Sequence, residues 1–143
     1  MSVRNTLGPM IVMAMIAAAP ALTAASPKDA TEAALDSCLG APANASTAGQ
    51  TDCEAAAARR YDRRMNTAYK ALLKRLANPA AARLRGSQRA WLIYRDAEAQ
   101  TQRTLFATRQ GTMYVPMQSD AAVTLIKDRA QMLERYLRVL SIE

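Results

Sequence analysis

The apolar positions of this chain recur at helical spacing, and no stretch alternates long enough to suggest a strand. Met65, Tyr69, Leu72, Leu73 and Leu76 form one such stripe, which predicts a helix from a cap at Thr51 or Asp52 to about Ala77. Asn78-Pro79 follows at once, a cap-and-proline pair that predicts a new helix over about 79–109. Its inner face would carry Leu84, Gln88, Trp91, Leu92, Arg95, Ala99, Gln102 and Phe106, and Gly111 would close it. Ser119-Asp120 predicts the cap of a last helix running to about Leu140, with Ala122, Ile126, Arg129, Ala130, Leu133, Tyr136, Leu137 and Leu140 inward. A short alanine-rich helix is expected ahead of these, from Ser26-Pro27 to Gly40. Residues 40–50 read as a flexible loop and 110–118 as a loop of unusually apolar content. The expected fold is all-α, a small, mainly antiparallel four-helix bundle.

The first residues follow a different logic. Arg4 precedes an uncharged run of 13 residues, Met10–Leu22, and then the small residues Thr23, Ala24, Ala25 and Ser26. That order predicts a cleaved signal peptide over 1–25, since a run this short does not span a bilayer. A single domain over 26–143 would remain, periplasmic or secreted, and not membrane-spanning after cleavage. In an oxidising compartment the cysteine pair Cys38 and Cys53 reads as one N-terminal disulfide. The chain has no histidine, so two thiols alone would make a poor metal site. Closing about 16 residues contributes on the order of 3 kcal/mol in the chain-entropy account.

Charge divides the chain unevenly. The sequence carries 19 Lys and Arg against 12 Asp and Glu, yet residues 26–58 are net acidic and 59–143 strongly basic. Arg59, Arg63, Lys70 and Lys74 lie within about 60° of one another on a helical wheel, roughly opposite the Met65 stripe. Such a face fits an anionic envelope polymer or glycolipid, and it is also what any solvated helix shows. No regular stacking aromatics interleave it, and an exported chain does not meet nucleic acid, so that partner is not expected. Met113 and Tyr114, in the apolar loop, are the alternative partner-binding residues. Nothing points to catalysis: there is no histidine, no nucleophile elbow and no phosphate-cradling glycine loop, and Asp96 and Glu98 point apart on a helix. No cofactor is expected.

The order of signals resembles the secreted proteins with a lysozyme inhibitor LprI-type domain. The residues that carry the resemblance are Cys38, a small-residue spacer, Cys53, then Arg64-Met65-Asn66-Thr67-Ala68-Tyr69. Leu84, Gln88-Arg89-Ala90-Trp91-Leu92, Tyr94-Arg95-Asp96 and Arg129-Ala130-Gln131-Met132-Leu133 follow. The likeness covers about residues 35–137. Two departures stand out. Alanines occupy the neighbourhood of a second cysteine pair found in many members, at Ala99 and Ala121 or Ala122, and the lipoprotein signal of the family's namesake is missing.

What the resemblance implies is a protein partner, a lysozyme-type muramidase, inhibited in the envelope. An immunity protein against a secreted toxin is an equivalent reading. Animal lysozymes are strongly basic, so long-range repulsion from a basic inhibitor would slow encounter unless a local element overcomes it. The polar residues Asn66, Tyr69, Gln88, Trp91, Arg95, Asp96 and Arg129 have two readings. They could form a site, or a network that hydrogen-bonds across the bundle, with Asp96 paired to Arg129 or Asn66.

Overall fold

The computed structural model describes residues 29–142; the expected leader over 1–25 and the Ser26-Pro27 cap lie outside the described residues. Four α-helices and one 3-10 turn follow one another: α1 (Ala30–Leu39), the turn (Pro42–Asn44), α2 (Thr47–Arg75), α3 (Ala80–Ala107) and α4 (Tyr114–Val139). No strand occurs among the described residues.

Helix ends depart from expectation where capping side chains were hidden among small residues. Asp29 caps α1, its Oδ1 accepting from the backbone N–H of Thr31 at 2.9 Å and of Glu32 at 3.2 Å. Residues 40–50 are not a flexible loop. Ser46 caps α2 by accepting from Gly49 N–H at 3.1 Å, and Asn44 Nδ2 donates to the Cys38 carbonyl at 2.9 Å. Gly49 permits this: a Cβ there would stand 2.7 Å from Asn44 Cα, so only glycine lets the turn pack on the first turn of α2. Thr51 and Asp52 therefore lie inside the helix, not at its cap. At the other end, α4 begins five residues before the expected Ser119 cap. Gly111 turns the chain at φ 112°, and Pro116 is tolerated because it falls in the first helical turn, where an N–H has no partner anyway. The apolar segment is thus helix rather than loop from Tyr114 on.

Successive helices alternate in direction. Tyr61 and Arg64 meet Asp29 while Cys53 meets Cys38, so α1 runs against α2. Gln88 meets both Met65 and Arg129, and α2 and α4 run side by side in the same sense, as the alternation requires. The core lies between them, built from Ala57, Tyr61, Met65, Ala68 and Leu72 of α2 with Val123, Ala130 and Leu133 of α4, and Leu84 of α3 closes it. The α4 stripe holds at Ile126, Arg129, Ala130, Leu133 and Leu137 and departs only at its ends: Val123 is buried in place of the exposed Ala122, and Tyr136 and Leu140 reach solvent. Along α3 the expected positions Trp91, Arg95, Ala99, Gln102 and Phe106 are half-buried, but Leu92 is not, and no residue beyond Gln88 is fully buried. The distal half of α3 packs loosely, leaving Ile93 73% exposed.

The Cys38–Cys53 disulfide pins α1 to the start of α2 across 5.8 Å between Cα atoms. Because the bond closes a loop rather than holding the α2–α4 core, its loss frees the chain end first. The protein should show no free thiol under denaturing conditions. Cys38→Ser should lower stability by on the order of 3 kcal/mol while circular dichroism reports nearly unchanged helix content. Two titratable thiols in the wild-type protein would contradict the assignment.

Candidate functional site

Arg64 is the most heavily bonded side chain among the described residues. Its Nε and one terminal nitrogen donate to Glu134 Oε1 and Oε2, both at 2.7 Å, and the other terminal nitrogen donates to Asp29 Oδ1 at 2.7 Å and Thr31 Oγ1 at 3.0 Å. Tyr61 donates its phenol to the same Asp29 oxygen at 3.2 Å. The hydrogen bond from Arg64 holds the Asp29 carboxyl well below the usual carboxylate range, helped by the backbone donors. Burial pushes the Tyr61 hydroxyl up, and the Asp29 charge adds to it. One guanidinium thereby ties α1, α2 and α4 together. Lys127 to Glu32, at 3.1 Å, is a second, more exposed tie.

The polar residues expected to form one network divide into three. Gln88 and Arg129 do meet: Arg129 Nε donates to Gln88 Oε1 at 3.0 Å, and a terminal nitrogen donates to Ser87 Oγ at 3.2 Å. Gln88 turns its amide nitrogen to Met65 Sδ at 3.8 Å. Trp91 lies between two cations, with Arg95 5.5 Å and Arg129 5.9 Å from its ring. Burial pushes the Arg129 guanidinium pKa down. Asp96 does not pair with Arg129 or Asn66. It accepts from Arg95 beside it at 2.9 and 2.6 Å, on the exposed face of α3. Asn66 is likewise exposed and donates one turn back to Asp62. The reason is the loose packing of α3 beyond Gln88, which keeps Asp96 at the surface. Tyr69 packs against the core edge.

The basic residues Arg59, Arg63, Lys70 and Lys74 are all exposed on α2. Arg60, Arg63 and Arg64 line an open groove of about 500 Å³ with Thr31 and Thr67. Arg64 is already neutralised by its two carboxylates, so Arg60 and Arg63 supply the groove's free charge.

The opposite end of the bundle is of different chemistry. Met113 is 63% exposed and Met117 49% exposed, with Val115 between them also exposed; Tyr114 is half-buried. Met113 and Met117, with Leu39 and Phe106, wall an open cavity of about 480 Å³ that Glu54 and Asp120 reach. Glu54 is only 4% exposed, and its Oε2 has no hydrogen-bond partner. Burial pushes the Glu54 carboxyl pKa up, and the nearby Asp120 charge pushes it further. Sequence reasoning missed Glu54, because an acid at the head of the alanine run Ala55–Ala58 looks like an ordinary surface position.

The fold defines a small all-helical domain, stapled by one disulfide, whose described residues include no group of three or more metal-ligating side chains and no helix apolar and long enough to cross a membrane. The chain belongs to the family described as lysozyme inhibitor LprI, whose profile matches residues 38–133. It is also similar to the crystal structure of an uncharacterised protein from Burkholderia thailandensis, at 32% identity and a TM-score of 0.72. That match covers 79% of this chain and 58% of the other, so this chain spans well under two thirds of that protein's length. No curated protein matches the chain.

The two perturbed carboxyls act on stability in opposite directions. Asp29 has a folded pKa below its unfolded value, so its contribution is present above about pH 4 and lost as pH falls below that. Glu54 has a raised folded pKa, so it costs stability once pH rises above about 4, where the unfolded chain ionises and the folded one resists. Thermal melts should therefore show Glu54→Gln at least as stable as wild type at pH 7, with the gain shrinking toward pH 4. Asp29→Asn should be less stable at pH 7, with the difference shrinking under acid. A Glu54→Gln protein clearly less stable at neutral pH would show that Glu54 has a partner.

Proposed function

We propose that the protein is an exported inhibitor of lysozyme-type muramidases and that it meets its partner with the α3–α4 end. Its family is one of lysozyme inhibitors, and this end offers what a protein interface needs: adjacent exposed apolar side chains on a rigid frame. The observation that carries the reading is the exposed pair Met113 and Met117 on the wall of an open cavity, at the start of the helix that begins at Tyr114. Residues 1–25 act as the export signal, which suits a disulfide-bonded inhibitor of an envelope-degrading enzyme.

A second reading rests on the arginine-lined groove on α2. A binder of anionic envelope polymer would use Arg59, Arg60, Arg63, Lys70 and Lys74, which reach solvent without an ion pair among the described residues. Its affinity would come from many screened Coulomb contacts and fall with salt.

Turbidity assays of muramidase-driven peptidoglycan lysis separate the two. Met113→Ala combined with Met117→Ala should weaken inhibition at least tenfold, about 1.4 kcal/mol. Replacing Arg59, Arg63, Lys70 and Lys74 by Gln should change it little. Tyr114→Ala is a poorer probe, because that residue is half-buried in the first turn of α4. Salt-sensitive binding to lipopolysaccharide, lost in the Gln variant with no muramidase inhibition by wild type, would favour the second reading instead.

A further inference from the structure

Glu54 is anomalous for a stability-driven fold. It lies on α2 in the row that also buries Cys53, Ala57 and Tyr61, yet it is the one acidic member of that row. A buried carboxyl without a hydrogen bond is destabilising, and the loss grows when a second carboxylate stands near. Asp120, from the second turn of α4, stands near. Nothing in the bundle compensates: among the described residues no Lys or Arg forms an ion pair with either acid. The other buried charge, Arg129, by contrast has Gln88, Ser87 and the Trp91 ring around it.

The cavity that Glu54 and Asp120 reach has walls of a particular kind. Phe106, Met113, Met117 and Leu39 are apolar, and the opening is to solvent. Such a shape suits a ligand with an aliphatic stem and a cationic head. The stem would lie along the methionines, and the head would cross the Phe106 ring to the carboxylates. A hard divalent cation is poorly served. It needs six or more oxygens, and no group of three metal-ligating residues occurs among the described residues.

We infer that this cavity is the receptor for one arginine or lysine side chain of the protein partner, with Glu54 and Asp120 as its paired acceptors. The inference deepens the inhibitor reading and rests on its premise that a protein docks at this end. It also answers the charge problem. The chain is net +7, but the segment that supplies Glu54 is acidic, and a local acidic site lets two net-positive proteins meet in one orientation. An inserted cation supplies the partner that Glu54 lacks in the free protein, so the group that costs stability unbound contributes affinity when bound.

The test uses the purified full chain, 15N-labelled, titrated with Nα-acetyl-arginine amide and, as the neutral isostere, Nα-acetyl-citrulline amide. The arginine probe should give saturable amide shifts centred on residues 50–54, 106 and 113–120, and the citrulline probe should bind at least tenfold more weakly. Glu54→Gln and Asp120→Asn should each weaken arginine binding at least tenfold while keeping wild-type helix content and a melting temperature no lower than wild type. Equal binding of the two probes, shifts centred elsewhere, or unchanged binding in both variants would overturn the inference. Muramidase inhibition with no arginine response in the cavity would overturn it and leave the inhibitor reading standing. Arginine binding as described in a chain that inhibits no muramidase would support the cavity and sink the inhibitor reading alone.

Discussion

Arg64, gripped by Glu134 on one side and Asp29 on the other, is the contact on which the arrangement of helices depends. Helix α1 is ten residues, half of them alanine, aspartate or glutamate, and its only fully buried residue is Thr31. Burial alone gives so short and weakly apolar a helix little reason to stay docked. The guanidinium supplies directional bonds to the capping residue of α1 at one end, and the disulfide fixes the other end. Both are needed, because they sit at opposite ends of the same helix. The fork also explains why Arg64 is not interchangeable with the neighbouring basic residues: a lysine has no planar pair of donors for Glu134 and no spare nitrogen for Asp29.

With α1 fixed, its last residue, Leu39, becomes a wall of the cavity at the far end, and α2 starts in register to bring Glu54 to it. The turn between the two depends on the missing Cβ of Gly49 and on the Ser46 cap. The two ends of the molecule thus have opposite character. At one, the part-buried charges of Arg64, Asp29 and Glu134 answer one another. At the other, a buried acid waits beneath exposed methionines. Stability given up at one position while the rest of the molecule is well satisfied is what a binding site produces.

Much of this was legible in the sequence. The helical period of α2 and α4, the all-α class, the cysteine pair and the family signals all carry strong local patterns. That Gln88 and Arg129 belong to a polar network across the bundle was legible, since both interrupt apolar stripes, but their pairing was not: Arg129 was expected to meet Asp96. Helix starts were less legible, because Ser46 lies in a stretch that reads as loop, Asp29 lies inside one that reads as helix from Ser26-Pro27, and Pro116 looks like a stop until it is placed in the first turn. The Asp29–Arg64–Glu134 bridge and the Glu54–Asp120 pair were hidden for a different reason. Each joins residues far apart in the chain, where periodicity carries no information. Asp96 misled because adjacency to Arg95 is enough to satisfy it at the surface.

On the inhibitor reading, the partner docks on the end formed by the start of α2 and the α3–α4 connection. Hydrogen–deuterium exchange of the protein, alone and with a muramidase in saturating excess, tests it most directly. New protection is expected over residues 48–56 and 106–120, with the α2 segment 59–74 unchanged. Protection centred on 59–74, with the cavity end exchanging as in the free protein, would contradict it.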